Sequence, residues 1–271
     1  MLKNRIVFGV LFAVAAVILS GCGEYEKLLK SRDFQKKYEM AVQYYEEGEY
    51  ARAGTLFDQV ANIFRGTTKA DTVKYYQAKS YYGQKDYMMA GYYFSELSAT
   101  YASSVYLEEA DFMIGYCFYK QSPRAELDQQ TTFQAITAMQ MFMAKYPTSE
   151  RATEAREIIT EMRDRLVEKS FISARLYYDL GYYKSAILAL RNSLIEFPDT
   201  KYREELMFLI LKSSYLLADG SIASLQRERY QATVDEYYSF IGEFPEGTHS
   251  KEAKRMYEDS NKFLDNTNKQ S

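Results

Sequence analysis

Five aromatic residues, Phe64, Tyr101, Tyr146, Phe197 and Phe244, punctuate the chain, and the last three are each followed by proline. Eleven residues before each stands a small side chain: Ala53, Ala90, Ala135, Ala186 and Thr233. Twelve residues before the first, second and fourth of these come Ala41, Ala78 and Ala174, each followed three residues on by a tyrosine, Tyr44, Tyr81 and Tyr177. Two antiparallel helices cross closely only where both carry small side chains, and a proline cannot continue a helix that has just ended. The chain therefore has to fold as a series of helix pairs.

Small residues at two fixed points, aromatics between them and a stop at the end resemble the tetratricopeptide repeat. Turn residues fall between the helices of each pair, at Gly48-Glu49-Tyr50, Lys85-Asp86-Tyr87 and Gly181-Tyr182-Tyr183. The aromatic marks lie 37, 45, 51 and 47 residues apart, against a repeat of about 34. The excess in the third unit is an inter-helix loop around Gln121–Arg124. In the fourth, no helix breaker lies between Ser149 and Tyr178, which predicts one helix of about 45 Å at 1.5 Å per residue. Thr148 or Ser149 would cap it, with Glu150 and Glu154 near its positive end. The fold class is all-α: a tetratricopeptide superhelix of about five pairs, over 33–65, 68–102, 104–147, 149–198 and 200–245. A final helix over 250–264 would close the apolar end of the stack. Residues 22–32 read as a linker and 265–271 as a fraying tail.

Composition excludes other classes. A hydrophobic share of 47% rules out a disordered chain, and 13 Gly with 4 Pro are few for an all-β protein. Net charge is −3, falling to −5 without Lys3 and Arg5, so nucleic acid is not an expected partner. One histidine and two cysteines leave little for zinc chemistry or a histidine triad. No nucleotide-binding, zincin, nucleophile-elbow or C-x-x-C motif is present. His249 reads as an exposed N-cap neighbour, and carboxylate doublets such as Glu108-Glu109 point about 100° apart on a helix and cannot share a proton. Neither an enzyme nor a metal or cofactor site is expected.

The N-terminus reads as an address. Lys3 and Arg5 precede an apolar run from Ile6 to Leu19 that ends in Leu19-Ser20-Gly21-Cys22. This run is short for a bilayer-spanning helix, and the pattern is that of a secretory signal over 1–21. Leu-Ser-Gly-Cys resembles the lipobox of bacterial lipoproteins, which implies that Cys22 becomes a diacylated, N-acylated first residue anchored in a membrane. Gly23, rather than Asp, after it favours the outer membrane in the enteric sorting rule. Cys117, among Ile114, Tyr116, Phe118 and Tyr119, reads as a small buried hydrophobe.

Tyrosine doublets recur, at 44–45, 75–76, 81–82, 92–93, 177–178, 182–183 and 237–238. On a helix, one ring of a doublet packs inward while its neighbour turns outward. Outward rings would give a groove contact area at low entropic cost. The long helix interleaves Arg151, Arg156, Arg163 and Arg165 with Glu154, Glu157, Glu161 and Asp164, either a solvated face or an Arg-anchored docking surface.

Tyr146-Pro147-Thr148-Ser149, Met162-Arg163-Asp164-Arg165-Leu166, Tyr177-Tyr178 and Phe197-Pro198-Asp199-Thr200, together with the lipobox, resemble the BamD family of barrel-assembly lipoproteins over most of the chain after Cys22. The resemblance implies a scaffold subunit at the periplasmic face of the outer membrane. Its N-terminal units would receive unfolded β-barrel proteins, and its C-terminal units would dock the insertase BamA beside other subunits of the machine. Carried over here, the client groove would involve Tyr44, Tyr45, Tyr75, Tyr81 and Tyr82. The docking end would involve Arg163, Arg165, Asp179 and Arg191, although the family's docking arginine aligns nearest to Ala189. Two other readings are a lipoprotein of pilus or secretion-apparatus assembly, and a glycan-binding lipoprotein of nutrient uptake. The absence of Trp argues against the second.

Overall fold

A computed structural model of the chain describes residues 23–268, and every regular element among them is an α-helix. The signal segment and Cys22 lie outside the described residues. Helix α1 covers residues 23–30. It is followed by α2 (Phe34–Glu46), α3 (Tyr50–Ala61), α4 (Ala70–Gly83), α5 (Tyr87–Thr100), α6 (Leu107–Gln121) and α7 (Gln130–Lys145). The remainder are α8 (Ala152–Asp179), α9 (Tyr183–Glu196), α10 (Arg203–Asp219), α11 (Ala223–Glu243) and α12 (Ser250–Asn268). The long helix expected after Ser149 is α8, of 28 residues. The described residues form two compact units. One is the chain up to Pro123 together with Gln130–Met162; the other is Arg124–Gln129 together with the chain from Arg163 onward.

In the first unit, neighbouring helices run antiparallel. The start of α2 meets the end of α3, where Lys37 Nζ donates to Gln59 Oε1 at 2.7 Å, and its end meets the start of α3, where Tyr45 packs on Tyr50. The same reversal relates α4 to α5, through Lys74–Glu96 and Tyr82–Tyr87. Ala53, Ala90, Ala135, Ala186 and Thr233 are all fully buried, as are Ala41 and Ala78. In the third unit Gly115 replaces alanine at the first small position, and a Cβ there would come within 3.0–3.1 Å of Met139.

The turns inside three pairs share one geometry. Gly48, Lys85 and Gly181 have φ of 80°, 63° and 78°. At each, the N–H of this residue and of the next return to the carbonyls of a preceding tyrosine doublet: Tyr45 and Tyr44, Tyr82 and Tyr81, Tyr178 and Tyr177. This is the Schellman motif, which satisfies the last carbonyls of a helix and favours glycine at the left-handed position. Gly48→Ala and Gly181→Ala meet no neighbouring atom, so each should cost about 1–2 kcal/mol from backbone conformation alone. Lys85→Gly should have the opposite sign, raising stability by up to about 1 kcal/mol. Denaturant unfolding of the three variants checks both signs.

The aromatic stops share a second turn. Phe64, Tyr101, Tyr146 and Phe197 each accept, through the backbone carbonyl, the N–H of a Ser or Thr three residues on: Thr67, Ser104, Ser149 and Thr200. The hydroxyl of that residue then accepts an N–H two residues further, from Lys69, Tyr106, Arg151 and Tyr202. This network accounts for the aromatic-x-x-[ST] spacing.

A third regularity sets the joint between successive pairs. The residue five beyond each stop lies face-on over an aromatic ring in the preceding first helix. Tyr106 stacks on Tyr75 at 4.1 Å, Tyr202 on Phe171 at 4.3 Å and His249 on Phe208 at 4.0 Å. Lys69 Nζ sits 4.7 Å from the Tyr38 ring, and the Arg151 guanidinium 4.6 Å from Phe112. His249 is thus a half-buried joint residue, with Nε2 2.9 Å from Glu205 Oε2, and not the exposed cap neighbour its sequence context suggests.

In the second unit, Ala174, Ala186, Leu190, Leu206, Leu209 and Ile210 form one core cluster. Phe208, Leu211, Phe240, Ala253 and Met256 form another, in which α12 covers α10 and α11. α12 runs from Ser250 to Asn268, past the 250–264 span expected for the closing helix. The stretch expected as a linker is helical over 23–30, with Leu28 buried in the first core cluster beside Tyr25 and Leu29.

Candidate functional site

The tyrosines expected to line a groove occupy separate wedges. Tyr44 meets the Tyr25 ring edge-on at 5.6 Å, with the Arg52 guanidinium 5.6 Å from its own ring. Tyr45 packs edge-on against Tyr50 and Tyr76, and burial pushes its hydroxyl pKa up to about 12. Tyr81 donates to Asp58 Oδ2 at 2.7 Å and leans on Tyr93; burial and that bond raise its pKa. Tyr82 packs on Tyr87 and Tyr116. Tyr75 is a core residue, 8% exposed, and does not line a groove. Its stacking on Tyr106 and its bond to Glu109 consume both the face and the hydroxyl a client would need. The reason is positional: Tyr38, Tyr75, Phe112, Phe171 and Phe208 each stand three residues before the first-helix position held by Ala41, Ala78, Gly115, Ala174 and Leu211, and so receive the joint.

Glu109 holds this region together. It accepts from Tyr75 Oη at 2.7 Å and from Lys79 Nζ at 3.0 Å. Burial alone would raise its carboxyl pKa, but those bonds and the charges of Lys79 and Arg151 outweigh burial and hold it below the ordinary value. A depressed folded pKa stabilises above the carboxylate's ordinary titration and loses that stability as pH falls through the folded value. Thermal stability should therefore drop below the carboxylate range, and Glu109→Gln should flatten that acid limb while lowering stability at neutral pH.

A more accessible feature was not legible beforehand. A cleft of about 570 Å³ opens between α5, α6 and α7, floored by Ile114, Ala138, Met141 and Phe142. At its polar edge Asp111 accepts from Lys145 at 2.6 Å, from Tyr146 Oη at 2.8 Å and from the Ser98 hydroxyl. Such a cleft suits an apolar or aromatic side chain beside a charged rim. Exposed Met141 four residues before Lys145 is the sequence trace of it.

In the second unit, Arg163, Asp179 and Arg191 are exposed and Arg165 is half-buried. They do not form one patch. Arg163 and Asp179 are about 24 Å apart along α8 at the helical rise, and Arg163 and Arg165 point about 160° apart. Asp179 pairs with Arg175 Nε at 3.6 Å, and Arg191 pairs across to Glu236 on α11. Beside Asp179, the α8–α9 corner exposes Leu176, Tyr177, Leu180 and Tyr182, with Leu180 58% accessible. Contiguous exposed apolar groups of this kind mark interaction surfaces. Tyr177 and Tyr182 are outward rings of two tyrosine doublets, whereas Leu176 and Leu180 carry no pattern in the sequence that marks them as exposed. Among the described residues no helix is long and apolar enough to cross a membrane, and no group of three or more His, Cys, Asp or Glu is placed to hold a metal ion.

A family model described as YfiO, outer membrane lipoprotein, matches residues 31–227. A putative outer membrane protein assembly factor BamD of Aquifex aeolicus (strain VF5) is 28% identical over 251 residues, covering 92% of this chain and 80% of the relative. The outer membrane protein assembly factor BamD of Caulobacter vibrioides is 26% identical over 113 residues, covering 42% of this chain and 37% of the relative. Among solved structures, the TPR2AB-domain:pHSP90 complex of yeast Sti1 shows 12% identity and a TM-score of 0.39, covering 84% of this chain and 98% of that one.

Proposed function

The chain belongs to the YfiO family of outer membrane lipoproteins, and from that membership we propose that it is a lipid-anchored scaffold subunit of the β-barrel assembly machinery. It is held at the periplasmic face of the outer membrane by acyl groups on Cys22 and acts by binding, not by catalysis. The first unit receives unfolded barrel proteins, with the apolar cleft beside Asp111 and Lys145 taking a client side chain. The second unit docks the insertase BamA. The observation that carries the docking assignment is the exposed apolar corner Leu176, Tyr177, Leu180 and Tyr182 beside the Arg175–Asp179 pair, a hydrophobic centre with a charged rim as stable interfaces have. Holding client and insertase on one chain raises the effective concentration of each for the other.

The test is co-purification through the full chain with partners identified. An outer-membrane insertase should be recovered, and Leu180→Glu should abolish its recovery without changing the melting temperature, because Leu180 is exposed. Depletion should reduce many unrelated barrel proteins together. Recovery of no insertase, or loss of a single surface appendage on depletion, would overturn the assignment.

A further inference from the structure

The described part of helix α1, residues 23–30, follows Cys22 directly in sequence, and it is fastened at both of its described ends. At its C-terminal end the ammonium of Lys37, only 3% exposed, donates to the Leu29 carbonyl at 3.0 Å and to Gln59 Oε1 at 2.7 Å. Leu28 is buried in the core of the first pair. At its N-terminal end the Arg52 guanidinium lies 5.5 Å from the Tyr25 ring and 5.6 Å from the Tyr44 ring, and Tyr25 Oη donates to the Arg52 carbonyl at 3.4 Å. Tyr44 and Arg52 stand within a turn of Gly48, so α1 runs alongside the first pair with its start at the α2–α3 turn.

We propose that α1 is a rigid strut that stands the α2–α3 turn, residues 46–49, against the lipid surface. The inference rests on the acylation of Cys22 proposed above. One residue spans at most about 3.6 Å, whereas α2 is about 20 Å long, so the anchor cannot swing the far end of the pair to the membrane while α1 stays docked. The turn carries exposed Glu46, Glu47 and Glu49. These carboxylates suit a zwitterionic layer that presents ammonium groups and would be repelled by a strongly anionic one. The membrane-facing surface is therefore an edge of the first unit, chosen by a docked helix rather than by a flexible tether.

The experiment uses the full acylated chain in vesicles of phosphatidylethanolamine and phosphatidylcholine that contain a nickel-chelating headgroup as paramagnetic relaxer. Spin labels are placed singly by Glu47→Cys at the turn and by Arg65→Cys at the opposite end of the pair; Cys117 is fully buried and takes no label. Relaxation should be several-fold stronger at 47 than at 65. A flexible Gly-Ser insert between Gly23 and Glu24 should erase the difference, because such linkers behave as random coils. Equal relaxation at both positions in the uninserted chain, or a difference that survives the insert, overturns the strut. Intact mass separates the two levels: a chain without acyl groups overturns the anchor and the strut together, whereas an acylated chain with equal relaxation overturns the strut alone.

Discussion

Phe57→Ala should lower the free energy of unfolding by about 3–5 kcal/mol, the range for removing a buried aromatic ring from a packed core. Phe57 has no exposed surface, meets Tyr38 edge-on at 6.5 Å and stacks on Tyr76 at 6.0 Å. These rings belong to α2 and α4, so the deletion opens a void where the first pair meets the second. Phe133, exposed on α7, supplies the control: its truncation should stay within about 0.5 kcal/mol. Denaturant unfolding of both variants measures the contrast. Equal losses would mean that the first pair is not packed around Phe57.

Enlarging the small positions should be the next most damaging change. Ala90→Phe and Ala186→Phe each place a ring where the native side chain is fully buried, and overpacking of this kind costs about 1–3 kcal/mol. Ala99→Phe, at an exposed position of α5, should be tolerated. The two buried sites test the register independently, since Ala90 belongs to the first unit and Ala186 to the second. Unchanged melting temperatures in both would mean that alanine does not mark the points of closest approach.

The repeat was readable in the sequence because its determinants are few in type and fixed in position. Alanine at most of the crossings, with Gly115 and Thr233 as small stand-ins, and an aromatic stop recur at fixed counts. The joint was not readable. Lys69, Tyr106, Arg151, Tyr202 and His249 share no side-chain class, only the ability to lie over a ring, and their distance in sequence from that ring varies with the intervening loop. The partner half of the joint was visible, as an aromatic three residues before each first-helix position from Ala41 to Leu211, and would have identified Tyr75 as core. α1 escaped notice for another reason: its eight described residues hold two glutamates and two lysines and show too short a pattern for a helical period to emerge. The apolar corner at Leu180 has no repeat position of its own, and the resemblance that pointed to Arg163 and Arg165 lies on a distant stretch of α8.

The joint also determines how such an array can lengthen. Packing is phased from the aromatic stop, eleven residues back to the crossing and five forward to the stacked group, and neither count includes the segment inserted between α6 and α7 or the extra turns of α8. Length added in those places leaves the phase untouched. A single residue deleted from one five-residue interval would take the stacked group of that joint off its ring, so indels in relatives should accumulate outside these two intervals.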